Sequence, residues 1–186
     1  MTEPLSGRTI VVTRPRAQAS RLADLIAGQG GEAVIFPLLE ISPVADPGFL
    51  QAAVLGLDSC SLAIFISPNA VAFSMPVILG RRAWPAGLRA AAIGQSSVAL
   101  LASYGIANTL APTERFDSEA LLELPELQRG SVAGRRVVIF RGNGGRELLA
   151  QTLRGRGAEV DYVTCYQRSA PTDAEPLREL WRSGQL

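Results

Sequence analysis

A chain of 186 residues with 47% hydrophobic content is long enough for one domain or two small ones with a real core, and none of its segments approaches the uncharged apolar run of a membrane span. Histidine and lysine are both absent, which excludes Ser-His-Asp and Cys-His nucleophile systems, most zinc sites, Schiff-base chemistry and a P-loop lysine. The 18 basic residues, all arginine, stand against 17 acidic ones, and a net charge of +1 leaves no nucleic-acid footprint.

Arg8–Thr13 reads as a strand buried on both faces, because its apolar residues run together instead of alternating. Arg14-Pro15 ends it. Ala17–Gln29 carries Leu22, Leu25 and Ile26 at helical spacing, and Gly30-Gly31 closes that helix before a second strand, Glu32–Phe36. Strand, helix and strand with short turns make a parallel βαβ unit. Pro37–Pro43 is apolar but bracketed by prolines, so it is expected to leave this unit as an extended connection.

A short amphipathic helix is expected over Phe49–Leu57. The run from Leu62 through Ile66 is then a buried strand, stopped by Ser67-Pro68, which supplies an N-cap and a first helical residue. The following helix reaches about Leu79. Leu88–Ile93 is a small-residue strand ending at Gly94-Gln95-Ser96-Ser97, with a helix over Val98–Tyr104 and a short strand over Ile106–Ala111. Asp117 or Ser118 caps a helix to Leu124. A polar loop with a possible helical turn occupies 125–134. Arg136–Phe140 is a strand meeting the glycine-rich turn Arg141–Arg146, and Glu147–Arg154 is a helix. Glu159–Tyr166 is the last strand, Gln167–Pro171 leaves it, and Asp173–Arg182 is a final helix. The alternation argues an α/β protein with mainly parallel sheets flanked by helices. Cys60 and Cys165 belong to no metal-like cluster and are expected as free buried thiols. The opening residues lack a signal-peptide profile, so cytoplasm is the expected compartment.

Four strand-to-helix turns share a character: Thr13-Arg14-Pro15, Ser67-Pro68-Asn69, Gly94 to Ser97, and Arg141-Gly142 through Arg146. Each offers backbone amides at the carboxyl edge of a strand, where open α/β sheets bind ligands, and helix starts favour anions. The plain alternative is that the serines only cap helices and the glycines only make turns. For Arg146, a cation at a helix start, a ligand competes with a salt bridge to a nearby acid. Tyr166, closing the last strand, carries a phenol that can donate a proton without a metal; packing against Pro37 or Leu38 is its structural alternative. Glu119, Glu123 and Glu126 read as a solvated helix face, and Trp84 and Trp181 as packing or surface residues.

Val11–Pro15, Phe36–Ile41, Phe65–Val71, Ala92–Ser97 with Leu101 and Gly105, Phe116–Glu119 with Leu121-Leu122, Arg141–Arg146, and Gly157–Val160 through Tyr166 occur in an order that resembles the uroporphyrinogen-III synthase family. The resemblance implies two α/β domains joined by a two-stranded connector. Residues 1–36 with 172–186 would form a discontinuous, incomplete domain, 44–164 an inserted one, and 37–43 with 165–171 the connector. It also implies the reaction, dehydrative cyclisation of hydroxymethylbilane to uroporphyrinogen III with inversion of the last pyrrole ring, without metal or cofactor. The partner is then a small polycarboxylate, with no nucleic acid or membrane, and the enzyme a monomer. Tyr166 matches the tyrosine proposed to assist loss of the substrate hydroxyl, and Ser67 and Ser97 match hydroxyl positions of the cleft, Ser97 replacing a more usual threonine. Thr13, Arg14, Asn69, Gly94, Arg141, Gly142 and Arg146 complete the expected substrate contacts. The family pattern runs on beyond Leu186 by roughly 60–80 residues, as usual domain sizes suggest. Two other readings compete: a non-catalytic binding or regulatory module of the same fold, and a nucleotide-binding domain resting on Arg141–Arg146, which lacks both the G-x-G-x-x-G order and the Walker pattern.

Overall fold

The computed structural model describes residues 3–171 and 173–185; Met1, Thr2, Thr172 and Leu186, which the expected first domain includes, lie outside the described residues. The chain divides into two units, one made of the residues up to Ser42 with those from Arg168 onward, the other of Pro43–Gln167.

In the first unit, β1 (Thr9–Val12) and β2 (Glu32–Ile35) pair in parallel from Thr9↔Glu32 to Val12↔Ile35, with α1 (Arg16–Ala27) as the crossover. The apolar face of α1 places Ala19, Leu22 and Ile26 against Ile10, Val12 and Ile35. Gly30, at φ 80°, turns the chain from helix into strand in a conformation that glycine adopts without strain. The C-terminal helix, numbered α8 below, runs over Glu175–Arg182 and buries none of its residues.

The second unit holds most of a five-stranded sheet of order β3-β7-β6-β4-β5, where β3 is Glu40–Pro43, β4 Leu62–Phe65, β5 Arg89–Ala92, β6 Arg136–Gly142 and β7 Glu159–Ser169. The pairs β4/β5, β4/β6 and β6/β7 are parallel. The helices of this unit are, in chain order, α2 (Gly48–Leu55), α3 (Pro68–Arg81), α4 (Gln95–Ser103), α5 (Ser118–Glu123), the single turn α6 (Arg129–Val132) and α7 (Leu148–Gly155), after which the chain returns to α8 of the first unit. All four residues of β4 are buried, as a strand covered on both faces requires. Leu62, Ile64, Val137, Ile139 and Val160 face a core shared with Leu121 of α5 and Leu149 and Leu153 of α7. Residues in alternate register turn to the α3 side, where Phe65 stacks on Phe140 with centroids 5.0 Å apart.

Three expectations need correction. Ile106–Ala111 is not a strand: Asn108 takes a left-handed φ of 57°, and only Leu110 bridges to β5. Helix α4 begins at Gln95, three residues early, so Ser97 lies inside the helix and Gly94 is the N-cap. Arg141 and Gly142 are the end of β6 and not the start of a turn, since the ladder to β7 continues through them.

Candidate active site at the carboxyl edge of the sheet

Because β4, β5, β6 and β7 run parallel, their carboxyl ends open on one edge, and Ser67, Gly94, Gly142 and Tyr166 lie along it. Ser67 takes an extended backbone and its Oγ accepts the Ala70 N–H at 3.1 Å, capping α3 as its sequence predicts. The same Oγ is 3.2 Å from the Tyr166 hydroxyl, a hydrogen bond spanning 99 residues of chain, with either group able to donate. The Tyr166 ring is 3% exposed and stacks on Phe73 of α3, centroids 5.9 Å apart. Asn69 follows Pro68 in the first turn of α3.

Next along the edge, Gly94 caps α4 without a side-chain bond, and the amides of Gln95 and Ser96 have no partner among the described residues. Ser97 is 1% exposed, with its amide on Gly94 O at 3.0 Å, so its hydroxyl is a core group here.

The arginines of this edge have acid partners. Arg141, with its side chain 7% exposed, donates to Glu147 at 2.9 Å and lies 4.3 Å above the Tyr162 ring. That hydrogen bond is the first cause of the depressed Glu147 pKa. Burial, followed by Glu147, pushes the Tyr162 phenol up, although the hydroxyl makes no bond of good geometry among the described residues. Arg146 stands ahead of α7, not inside it, and pairs with both carboxylate oxygens of Glu119, whose pKa falls as a result. The salt-bridge reading of Arg146 therefore describes this structure. Glu123 and Glu126 likewise meet Arg115 and Arg89.

Thr13 and Arg14 belong to the first unit, where Pro15 and not Thr13 is the N-cap of α1. Thr13 borders a cavity of about 560 Å³ whose other walls are largely apolar, among them Val11, Phe36, Leu38, Leu177 and Trp181. Arg178 and Arg182 complete the lining, both paired with Glu175.

Sequence reasoning missed Phe73 and Glu147 and read Cys165 only as a buried thiol. Glu147, six residues from Arg141 and next to Arg146, was legible as an ion-pair partner; the contact of Phe73 with Tyr166 and the place of Cys165 in the sheet left no signal, because both depend on how β7 pairs.

The model of the uroporphyrinogen-III synthase HemD family matches residues 20–186. The chain belongs to the uroporphyrinogen-III synthase family. Relatives bearing the enzyme's name include those of Escherichia coli K12, 40% identical over 163 residues, and Salmonella typhimurium LT2, 39% identical over 163. Both alignments cover 87% of this chain and 65% of the relative, so the chain spans about 65% of their length. The Proteus mirabilis uroporphyrinogen-III synthase is 35% identical over 161 residues, 86% of this chain and 80% of that protein. Among solved structures, a mutant uroporphyrinogen III synthase of the extremely thermophilic bacterium Thermus thermophilus superposes with a TM-score of 0.66 at 17% identity, over 96% of this chain and 70% of that one. The fold of the family is therefore the fold of this chain. Among the described residues no helix is long and apolar enough to cross a membrane.

Proposed function

We propose that the protein is a uroporphyrinogen-III synthase, a cofactor-independent lyase that closes hydroxymethylbilane to uroporphyrinogen III with inversion of ring D. The observation that carries this reading is a phenol, Tyr166, held by Ser67 at the carboxyl edge of a parallel sheet in a chain of this family. The substrate hydroxyl takes the place of Ser67 as the partner of the phenol. Tyr166 gives it a proton as the C–O bond breaks, water leaves, and the terminal pyrrole becomes an azafulvenium cation. The ring D α-carbon that already carries the bridge from ring C attacks it to form a spiro intermediate. The bond from that carbon to the bridge then breaks, the bridge rejoins at the free α-carbon of ring D, and the proton lost there as the ring rearomatises restores the phenol. The amides at the start of α4, Gly94 and Asn69 receive carboxylates, while Arg141 and Arg146 exchange part of their hold on Glu147 and Glu119 for substrate. Ser97 lines the wall beneath them, and Thr13 and Arg14 are counted among the substrate contacts. Holding the bilane in one ring-closing geometry supplies much of the acceleration. A monomer working in the cytoplasm completes the reading. Incubation with hydroxymethylbilane and separation of the isomers tests it: isomer III is expected, and isomer I alone, the spontaneous product, rules the activity out.

A further inference from the structure

We infer that Gly142 is a positioning residue for Tyr166, not a substrate contact, and that the bulge at Cys165 is the other half of the same device. Up to Arg141↔Thr164 the β6/β7 ladder is regular; it then steps to Gly142↔Tyr166, leaving Cys165 as the extra residue on β7. The Cys165 thiol donates toward Arg141 O at 3.3 Å and Ala70 O at 3.6 Å, tying the bulge to β6 and to α3. Beyond it, the Asn143 amide donates to Tyr166 O at 3.2 Å, so pairing resumes. Without the extra residue, Tyr166 would point to the opposite face of the sheet. With it, the ring turns to the α3 side and must cross β6 to reach Ser67 beyond. It crosses at Gly142. A Cβ built there lies 2.6 Å from Tyr166 Cε2, 2.7 Å from Cζ and 3.1 Å from the hydroxyl. Those atoms are the far end of a side chain that can rotate away, and Gly142 is not among the glycines with positive φ. Alanine therefore fits the backbone and displaces the phenol, which makes the inference testable without unfolding the chain.

The kinetic part rests on the function proposed above; the positional part does not. With ¹³Cζ-labelled tyrosine the three residues Tyr104, Tyr162 and Tyr166 give three ring signals, assigned by Tyr→Phe variants. Gly142→Ala is expected to move the Tyr166 signal alone. It is also expected to lower kcat for isomer III about 10- to 100-fold with KM within about twofold, a loss that Tyr166→Phe does not deepen when combined with it. Gly80→Ala, in α3 with nothing within 4 Å of the added Cβ, leaves signal and rate unchanged. Cys165→Ala adds no volume and is expected to move the same signal, a second route should Gly142→Ala fold poorly. An unmoved Tyr166 signal in both variants overturns the inference, as does a kcat loss in Gly142→Ala fully additive to that of Tyr166→Phe. A moved signal with full turnover in Tyr166→Phe overturns the catalytic reading instead and leaves the positional one standing.

Discussion

The Ser67 hydroxyl has two partners, a helix amide at 3.1 Å and a phenol at 3.2 Å, and its replacement separates two effects. Ser67→Ala is expected to lose about 1 kcal/mol of stability from the missing cap, read as a Tm lower by roughly 2–4 °C. Ser67→Thr keeps the cap and should recover most of that loss. Tyr166→Phe retains the stacking on Phe73 and removes only the hydroxyl, so turnover should fall about 100-fold or more while the fold is kept. Unchanged turnover removes Tyr166 from the acid role. Cys165 shows how strongly this corner is desolvated: burial pushes its thiol from 9.0 up to about 12. An unfolded chain ionises that thiol first, so the stability it contributes is whole below pH 9.0 and is lost as the pH rises toward about 12. Chemical denaturation across that range should show a shallower alkaline decline in Cys165→Ala, and an identical decline refutes the assignment.

The helix that carries the cap is built against its own propensity. Pro76 sits inside α3, removing one backbone donor and crowding the carbonyl one turn earlier, on an exposed side where water can satisfy that carbonyl. Two residues before Pro76, Ser74 Oγ donates back to Ala70 O at 2.5 Å, a bond that accompanies bending. Packing outweighs these costs, since Ala70, Val71, Met75 and Ile78 are all fully buried. Pro76→Ala should therefore raise stability by about 1–3 kcal/mol, measured by urea unfolding. A lower midpoint would mean that the bend itself is needed for packing. Helix α4 shows the reverse balance: Gly94 provides no side-chain cap, and the helix forms because Ser97 and Leu101 are buried.

Across the whole molecule the charge is carried by arginine against Asp and Glu, and no side chain has an ordinary pKa between pH 5 and 8, since histidine is absent. Arg82, Arg146 and Arg141, each first through a hydrogen bond, hold Asp58, Glu119 and Glu147 below the ordinary carboxylate values. A carboxylate whose folded pKa is depressed contributes stability above its unfolded value, 3.8 for Asp58 and 4.5 for the two glutamates, and that contribution disappears as the pH falls through the lower folded value. Unfolding midpoints should accordingly be nearly flat from about pH 5.5 to 8 and fall on the acid side. The fall is shallow, because the three carboxylates are exposed and screened by solvent. A step near pH 6.5 would contradict it.

Most elements were legible because their causes are local. A contiguous apolar run such as Leu62–Phe65 can only be a strand covered on both faces, and Ser67-Pro68 can hardly do other than start a helix. Where local signals competed, the sequence misled: Ile106–Ala111 has strand composition, yet one left-handed residue, Asn108, reduced it to a bridge. By itself the sequence determined the alternating α/β order, the cap on α3 and the two buried thiols. The tertiary structure alone decided that Ser67 meets Tyr166 across 99 residues, that Arg146 answers Glu119, and that a bulge at Cys165 turns Tyr166 over Gly142. Strand register belongs to a pair of strands, and a one-residue step in it reverses the face of every side chain that follows; no local pattern in β7 encodes that step.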